Sequence, residues 1–164
     1  MPGPASGAAV RLYQSRTEEP GLEVNARAAI GHHQQLLLLR ALDTTDWFLP
    51  GTPVVFGEPA EDGLRRALRE ILDAPVTSIL FLVAIEHFFT DRLGTAHHVL
   101  DLVFDVSLAN HRVQCSAENL ELRWLTLQHL DDITLTPPGL PEGLRSGRFD
   151  HGDRWLPWRR QSSI

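Results

Sequence analysis

Glu58, Arg66 and Glu70 are the residues whose types and spacing point most directly to chemistry. Two carboxylates bracket an arginine within Trp47 to Val76, a stretch that changes from a Pro- and Gly-rich loop into an Arg-rich helical repeat. A loop opening into a helix is suited to present carboxylate oxygens, the hard ligands that Mg²⁺ takes in near-octahedral geometry, to a divalent cation. A single helix carboxylate such as Glu70 rarely holds Mg²⁺ by itself. Ala67 and Ile71 lie beside Glu70 at one edge of the apolar stripe and extend the hydrophobic face there. The same residues also have plain structural uses: Glu70 is one helical turn from Arg66 and suits an i,i+4 ion pair, and Glu58 suits a helix cap.

Further acids stand downstream. Glu118 and Glu121 precede Trp124, and Glu86 and Asp101 fall on apolar runs of strand type. Each can supplement a metal site or serve as a solvated loop or strand-edge acid. The pairs His32-His33 and His97-His98 are adjacent, and neighbouring strand residues point to opposite sides, so no histidine metal site is expected. Cys115 is the single cysteine and reads as a small buried hydrophobe. All the cationic side chains are arginine. The absence of lysine excludes lysine chemistry and leaves Arg for any bidentate phosphate contact. A formal net charge of −6 with no basic run excludes duplex nucleic acid as a natural partner.

The chain has 164 residues, enough for one domain with an ordinary core. Its longest apolar run, Ile79 to Ile85, is too short to cross a bilayer, and the start MPGPASGAAV has neither the basic nor the sustained apolar region of a signal peptide. A cytoplasmic protein without a membrane segment is expected.

The elements that must position these residues follow from the hydrophobic pattern. Residues 1–21 read as a flexible arm with a short strand at Val10 to Ser15, residues 22–145 as the folded domain, and 146–164 as a tail rich in Trp and Arg. Within the domain, EVNARAAI and QLLLLRAL read as a hairpin around the polar turn GHHQ. A loop with Pro50, Gly51, Pro53 and Gly57 leads to a helix from about Pro59 to Asp73, where Leu64, Ala67, Leu68, Ile71 and Leu72 recur at helical spacing and Pro75 stops it. TSILFLVAIEHFF and HHVLDLVFDVSL form a second hairpin, LELRWLTL a further strand, and the Pro-broken remainder one or two short helices. Trp155, Trp158 and the tail arginines suit a partner surface or homodimer contact, or pack back over the domain's own sheet.

This order of elements, with Leu49-Pro50-Gly51 before Gly57-Glu58, resembles the Nudix hydrolase superfamily, MutT-like proteins named for a box that runs from glycine through glutamates to a closing glycine. Seven residues after Glu58 comes Arg66 at the motif arginine, with Leu68 at the aliphatic position and Glu70 at the first of the paired glutamates. Thr52 stands at the motif glycine, Val55 at a loop acid, Ala67 and Ile71 at two box glutamates, and Asp73 at the closing glycine. A second register takes Arg69-Glu70-Ile71 as the arginine triplet, at the cost of a spacer of ten residues and with Asp73 and Ala74 at the paired acids.

The resemblance implies an α/β fold: a Nudix-type α/β/α sandwich with a mixed central sheet and the box helix after a loop. It also implies Mg²⁺ or Mn²⁺ bound through Glu70, with Glu58 orienting Arg66 and Glu118 or Glu121 assisting, in hydrolysis of a nucleoside diphosphate linked to another moiety. The missing acids argue for hydrolysis weakened or lost. The other readings are a non-catalytic module that binds a nucleotide or other ligand and needs no metal, and a catalyst that uses the same cavity for different chemistry. Trp47, Phe48, Phe88 and Phe89 are candidates for stacking on a base, or for plain core packing.

Overall fold

The structure, a computed structural model, describes residues 21–91, 93–152 and 154–156. The strand expected at Val10 to Ser15 and Trp158 lie outside the described residues. In chain order the strands are β1 (Leu22–Ala29), β2 (Gly31–His32), β3 (Gln35–Ala41), β4 (Trp47–Phe48), β5 (Gly51–Pro53), β6 (Val76–Thr90), β7 (Ala96–Leu108), β8 (Leu120–Thr126), β9 (Leu135–Thr136) and β10 (Trp155–Leu156). Helix α1 (Ala60–Leu72) lies between β5 and β6, and α2 (Leu140–Arg145) follows β9. Short 3₁₀ turns occupy Leu127–Asp132 and Arg148–His151. No helix of the described residues is long and apolar enough to cross a membrane.

Two mixed five-stranded sheets result. The first runs β10-β6-β7-β1-β5, with β7 parallel to β1 and β10 parallel to β6. The second is organised on β3, which pairs with β8 along its whole length and with β2 and β4 on the other edge, β9 lying beyond β4. The hairpin of β6 and β7 forms as the pattern predicts. The one proposed between the first two apolar runs does not. β1 lies along β7 from Leu22 opposite His98 to Ala29 opposite Asp105, and its other edge takes β5, so neither edge is left for β3. The turn instead joins β3 to the two-residue β2, through His33 and Gln34 at φ 48° and 60°.

The run of four leucines in β3 is explained by burial on both faces. Leu37 and Leu39 enter one core with Ala26, Ala28, Phe104 and the apolar stripe of α1, whereas Leu36 and Leu38 enter a second with Val83, Ile85, Val103 and Leu140. Pro59 caps the start of α1 rather than opening it, with Glu61 and Asp62 in the first turn favouring the positive end of the dipole. Of the tail, the described strand β10 joins the first sheet: Trp155 pairs with Ala84 of β6 and stays about half exposed.

A charged network lies inside the first sheet. Asp101 is fully buried and accepts hydrogen bonds from Asn25 Nδ2 and Arg27 Nε, both at 3.2 Å, while His87 Nε2 lies 2.7 Å from its other oxygen. Burial pushes the Asp101 carboxyl up, but the His87 bond and the Arg27 charge outweigh it and hold the group below the usual range. Nearby, His97 spans Glu23 (2.8 Å) and Asp91 (3.0 Å), and Phe89 stacks on its ring at 4.7 Å.

Arg27→Met is expected to cost on the order of 3 kcal/mol in urea unfolding, because it removes a cationic partner from a buried carboxylate. His97 gives a pH signature. Burial disfavours its charged form, but the bonds to Asp91 and Glu23 prevail and raise its pKa. The stability it contributes is therefore complete below the unfolded value of about 6.5 and is lost as pH rises through the raised folded value. Asp91, held low first by its bond with His97, has the opposite sign and loses its share on acidification through its depressed value. His97→Gln should flatten the fall in unfolding free energy on the alkaline side of pH 6.5, which pH-resolved denaturation measures.

Candidate functional site

The loop that precedes α1 turns at Gly57, φ 84°, and delivers Glu58 to the first turn of the helix. There Arg66 closes a bidentate pair with it, Nε to Oε1 at 3.1 Å and Nη2 to Oε2 at 2.8 Å. The Arg66 bond holds the Glu58 carboxyl below its ordinary range, against the smaller opposing effect of desolvation. Gly63 makes room for this arrangement: a Cβ there would lie 3.1 Å from Glu58 Oε2 and 3.6 Å from Thr52 Cγ2. Both oxygens of Glu58 are thus paired with Arg66, and the helix N-cap, Pro59, makes no side-chain capping bond.

Glu70, one turn beyond, lies 3.8 Å from Arg66 Nη1 with its side chain 53% exposed. Ala67 and Ile71 point the other way, into the core, at 2% and 4% exposure. Asp73 ends the helix at φ 46°, a left-handed conformation that favours glycine, and its N–H donates to the Arg69 carbonyl.

The two downstream acids part company. The loop before β8 docks on the end of α1 through Ser116 N–H to the Ile71 carbonyl at 2.7 Å, with Cys115 and Ala117 packed on the core, and exposed Glu118 follows two residues later. Glu121 sits on the other sheet, opposite Arg40, where it accepts from Arg40 Nε at 3.1 Å and Arg123 Nε at 2.6 Å. Those bonds, led by Arg40, hold its carboxyl low. Both guanidinium groups lie over Trp47, at 4.9 and 5.8 Å from the ring centroid.

Solved structures match this architecture closely. A MutT Nudix hydrolase from Burkholderia pseudomallei aligns with a TM-score of 0.62 at 22% identity, over 74% of this chain and 95% of its own. The MutT protein of Methanosarcina mazei Go1 gives 0.62 at 22%, over 83% and 97%. The fold is that of the Nudix hydrolases. A UDP-X diphosphatase shares it with a TM-score of 0.54 at 18% identity, over 92% of this chain and 73% of its own. No protein-family model and no curated protein matches the sequence.

Thr52, set at the box glycine in the first register of the resemblance, is buried on β5 opposite Ala26, and Asp73, set at its closing glycine, has a left-handed backbone. Among the described residues no three His, Cys, Asp or Glu side chains stand together as a group able to hold a metal ion. Glu86 is bonded to His98 at 2.8 Å, and Asp101 is enclosed in its own network. His32 stacks on His111 at 3.8 Å and contacts His33 at 3.9 Å. Desolvation, then the charges of His111 and His33, lowers the pKa of His32. Arg40, Arg65 and Arg123 match no motif position, and Arg69 enters only in the second register; the all-arginine cation content is the one sequence signal that points to them.

Of the stacking candidates, Trp47 and Phe48 are buried in the two cores. Phe89 stacks between His87 and His97.

Restoring glutamates at 67 and 71 is not a surface change. Ala67→Glu with Ile71→Glu places two carboxylates among Leu37, Leu39 and Phe104, and is expected to cost at least about 3–5 kcal/mol. Exposed Glu70→Gln should stay within about 0.5 kcal/mol. Parallel thermal denaturation of the two variants makes the comparison.

Proposed function

We propose that the chain is a Nudix-fold protein that binds a nucleoside diphosphate linked to another moiety, with metal-dependent hydrolysis weakened or lost. The observation that carries this reading is the burial of Ala67 and Ile71 in the core, at two positions where the box calls for glutamate. Both oxygens of Glu58 are taken by Arg66, which leaves Glu70 as the box carboxylate projecting to solvent. One such group does not fit a Mg²⁺ or Mn²⁺ centre, which needs several hard oxygen ligands to bridge and neutralise a diphosphate. What remains to this protein's own residues is recognition: arginines placed for phosphate and an oriented Glu58–Arg66 pair beside them. The similarity to a UDP-X diphosphatase supports the choice of UDP-linked compounds among the ligands to be tried.

A second reading, in which hydrolysis survives, rests on the hydrogen bond from Ser116 to Ile71. It brings the segment bearing Glu118 to the end of the box helix, where it can supplement Glu70.

A panel of nucleoside diphosphate derivatives, titrated with Mg²⁺ or Mn²⁺ and read by release of phosphate-containing products, separates the two readings. Turnover is expected at least about 100-fold below that of a Nudix hydrolase with an intact box, since loss of even an indirect metal partner costs roughly 10–100-fold. Robust turnover that Glu70→Gln abolishes sinks the proposal. Sensitivity to Glu118→Gln as well would establish the second reading.

A further inference from the structure

The outer side of α1 carries a feature that the lost carboxylates do not account for. An open groove of about 500 Å³ runs beside the helix, lined by Glu58, Asp62, Arg65, Arg66 and Arg69 together with Pro75 and Val76. Arg66 is committed to Glu58 and Glu70. Arg65 and Arg69 make no side-chain hydrogen bond or ion pair within the chain, among the described residues. Their positions differ by four, so they rise about 6 Å along one side of the helix. With Glu58 and Arg66 cancelling each other, the two free guanidinium groups outnumber Asp62 and give the groove a net positive charge.

We infer that this groove is a metal-independent site for a diphosphate group, gripped by Arg65 and Arg69. Each guanidinium presents a planar fork of donors that matches one phosphoryl group, and two forks a turn apart match two linked phosphoryl groups better than a single phosphate. In a metal-dependent box the cation would offset the negative charge of the ligand; here fixed side-chain charge takes that role. The inference deepens the proposed function and rests on its reading of the ligand as a diphosphate compound. Pro75 and Val76 add an apolar edge on which the remainder of such a ligand can lie.

The test is isothermal titration of the full chain in excess chelator, with inorganic pyrophosphate, orthophosphate and a UDP-linked sugar as separate titrants. Pyrophosphate should bind more tightly than orthophosphate without divalent metal. Arg65→Gln with Arg69→Gln should weaken pyrophosphate by about tenfold or more, the scale of losing charge-assisted hydrogen bonds. Arg65→Lys with Arg69→Lys, which keeps the charge but not the fork, should recover only part of that. Thermal denaturation of each variant checks that the fold is intact.

UDP-sugar binding that persists unchanged in the Gln variant would overturn the arginine site and leave the proposed function standing. Pyrophosphate binding that depends on the arginines, with no binding of any nucleoside diphosphate derivative, would support the site and overturn the proposed ligand class. Failure of every phosphate compound to bind overturns both.

Discussion

The apolar stripe of α1 has to be covered, and Leu64, Ala67, Leu68, Ile71 and Leu72 meet Ala26, Ala28, Phe104 and two leucines of β3 to do so. Fully burying a leucine or isoleucine contributes roughly 1.5–3 kcal/mol each, so the stripe anchors the helix in this core. Its width decides what the site is made of. Because the stripe extends to positions 67 and 71, those side chains face the core rather than solvent. Beyond the acidic first turn, the polar side of the helix carries Arg65, Arg66, Arg69 and Glu70.

Charge pairing follows from a chain whose only strong cation is arginine. Arg27, Arg40 and Arg66 each bind a carboxylate from a distant or neighbouring element: Asp101, Glu121 and Glu58. The first pair is enclosed and ties β1 to β7, where an unpaired carboxylate would be costly. The second joins the two long strands of the other sheet, and the third fixes the entry of the loop into α1. Arg40 and Arg66 each engage their carboxylate through two nitrogens of the planar guanidinium fork, which lysine does not possess.

Much of this was legible in the sequence where the signal was local. The 3.6-residue period of α1 and the uninterrupted β-rich runs of β6 and β7 specify their own elements. Partner choice was less legible, because β1 pairs with β7 some seventy residues away along the chain and the pattern of either strand alone carries no record of the other. The two-residue strands β2, β4, β9 and β10 are too short to leave a period. At the site, the Glu58 and Arg66 pair was implied by the resemblance to the Nudix box, which also sets Ala67 and Ile71 at two of its glutamates. The groove was not, since the exposure of Arg65 and Arg69 beside Pro75 depends on how α1 settles on the sheet.

The four leucines of β3 have one more consequence. A strand normally keeps its alignment because a slip by one residue would turn polar side chains inward, but Leu36 to Leu39 are identical and buried on both sides. Sliding β3 by one position would return a leucine to three of the four buried places and bring only Gln35 or Arg40 into the fourth. The alignment is therefore specified at the strand's ends, by the His33-Gln34 reversal at one and by Arg40 facing Glu121 and Trp47 at the other. A charged contact thus acts as the ruler for a strand whose hydrophobic face carries no gradations.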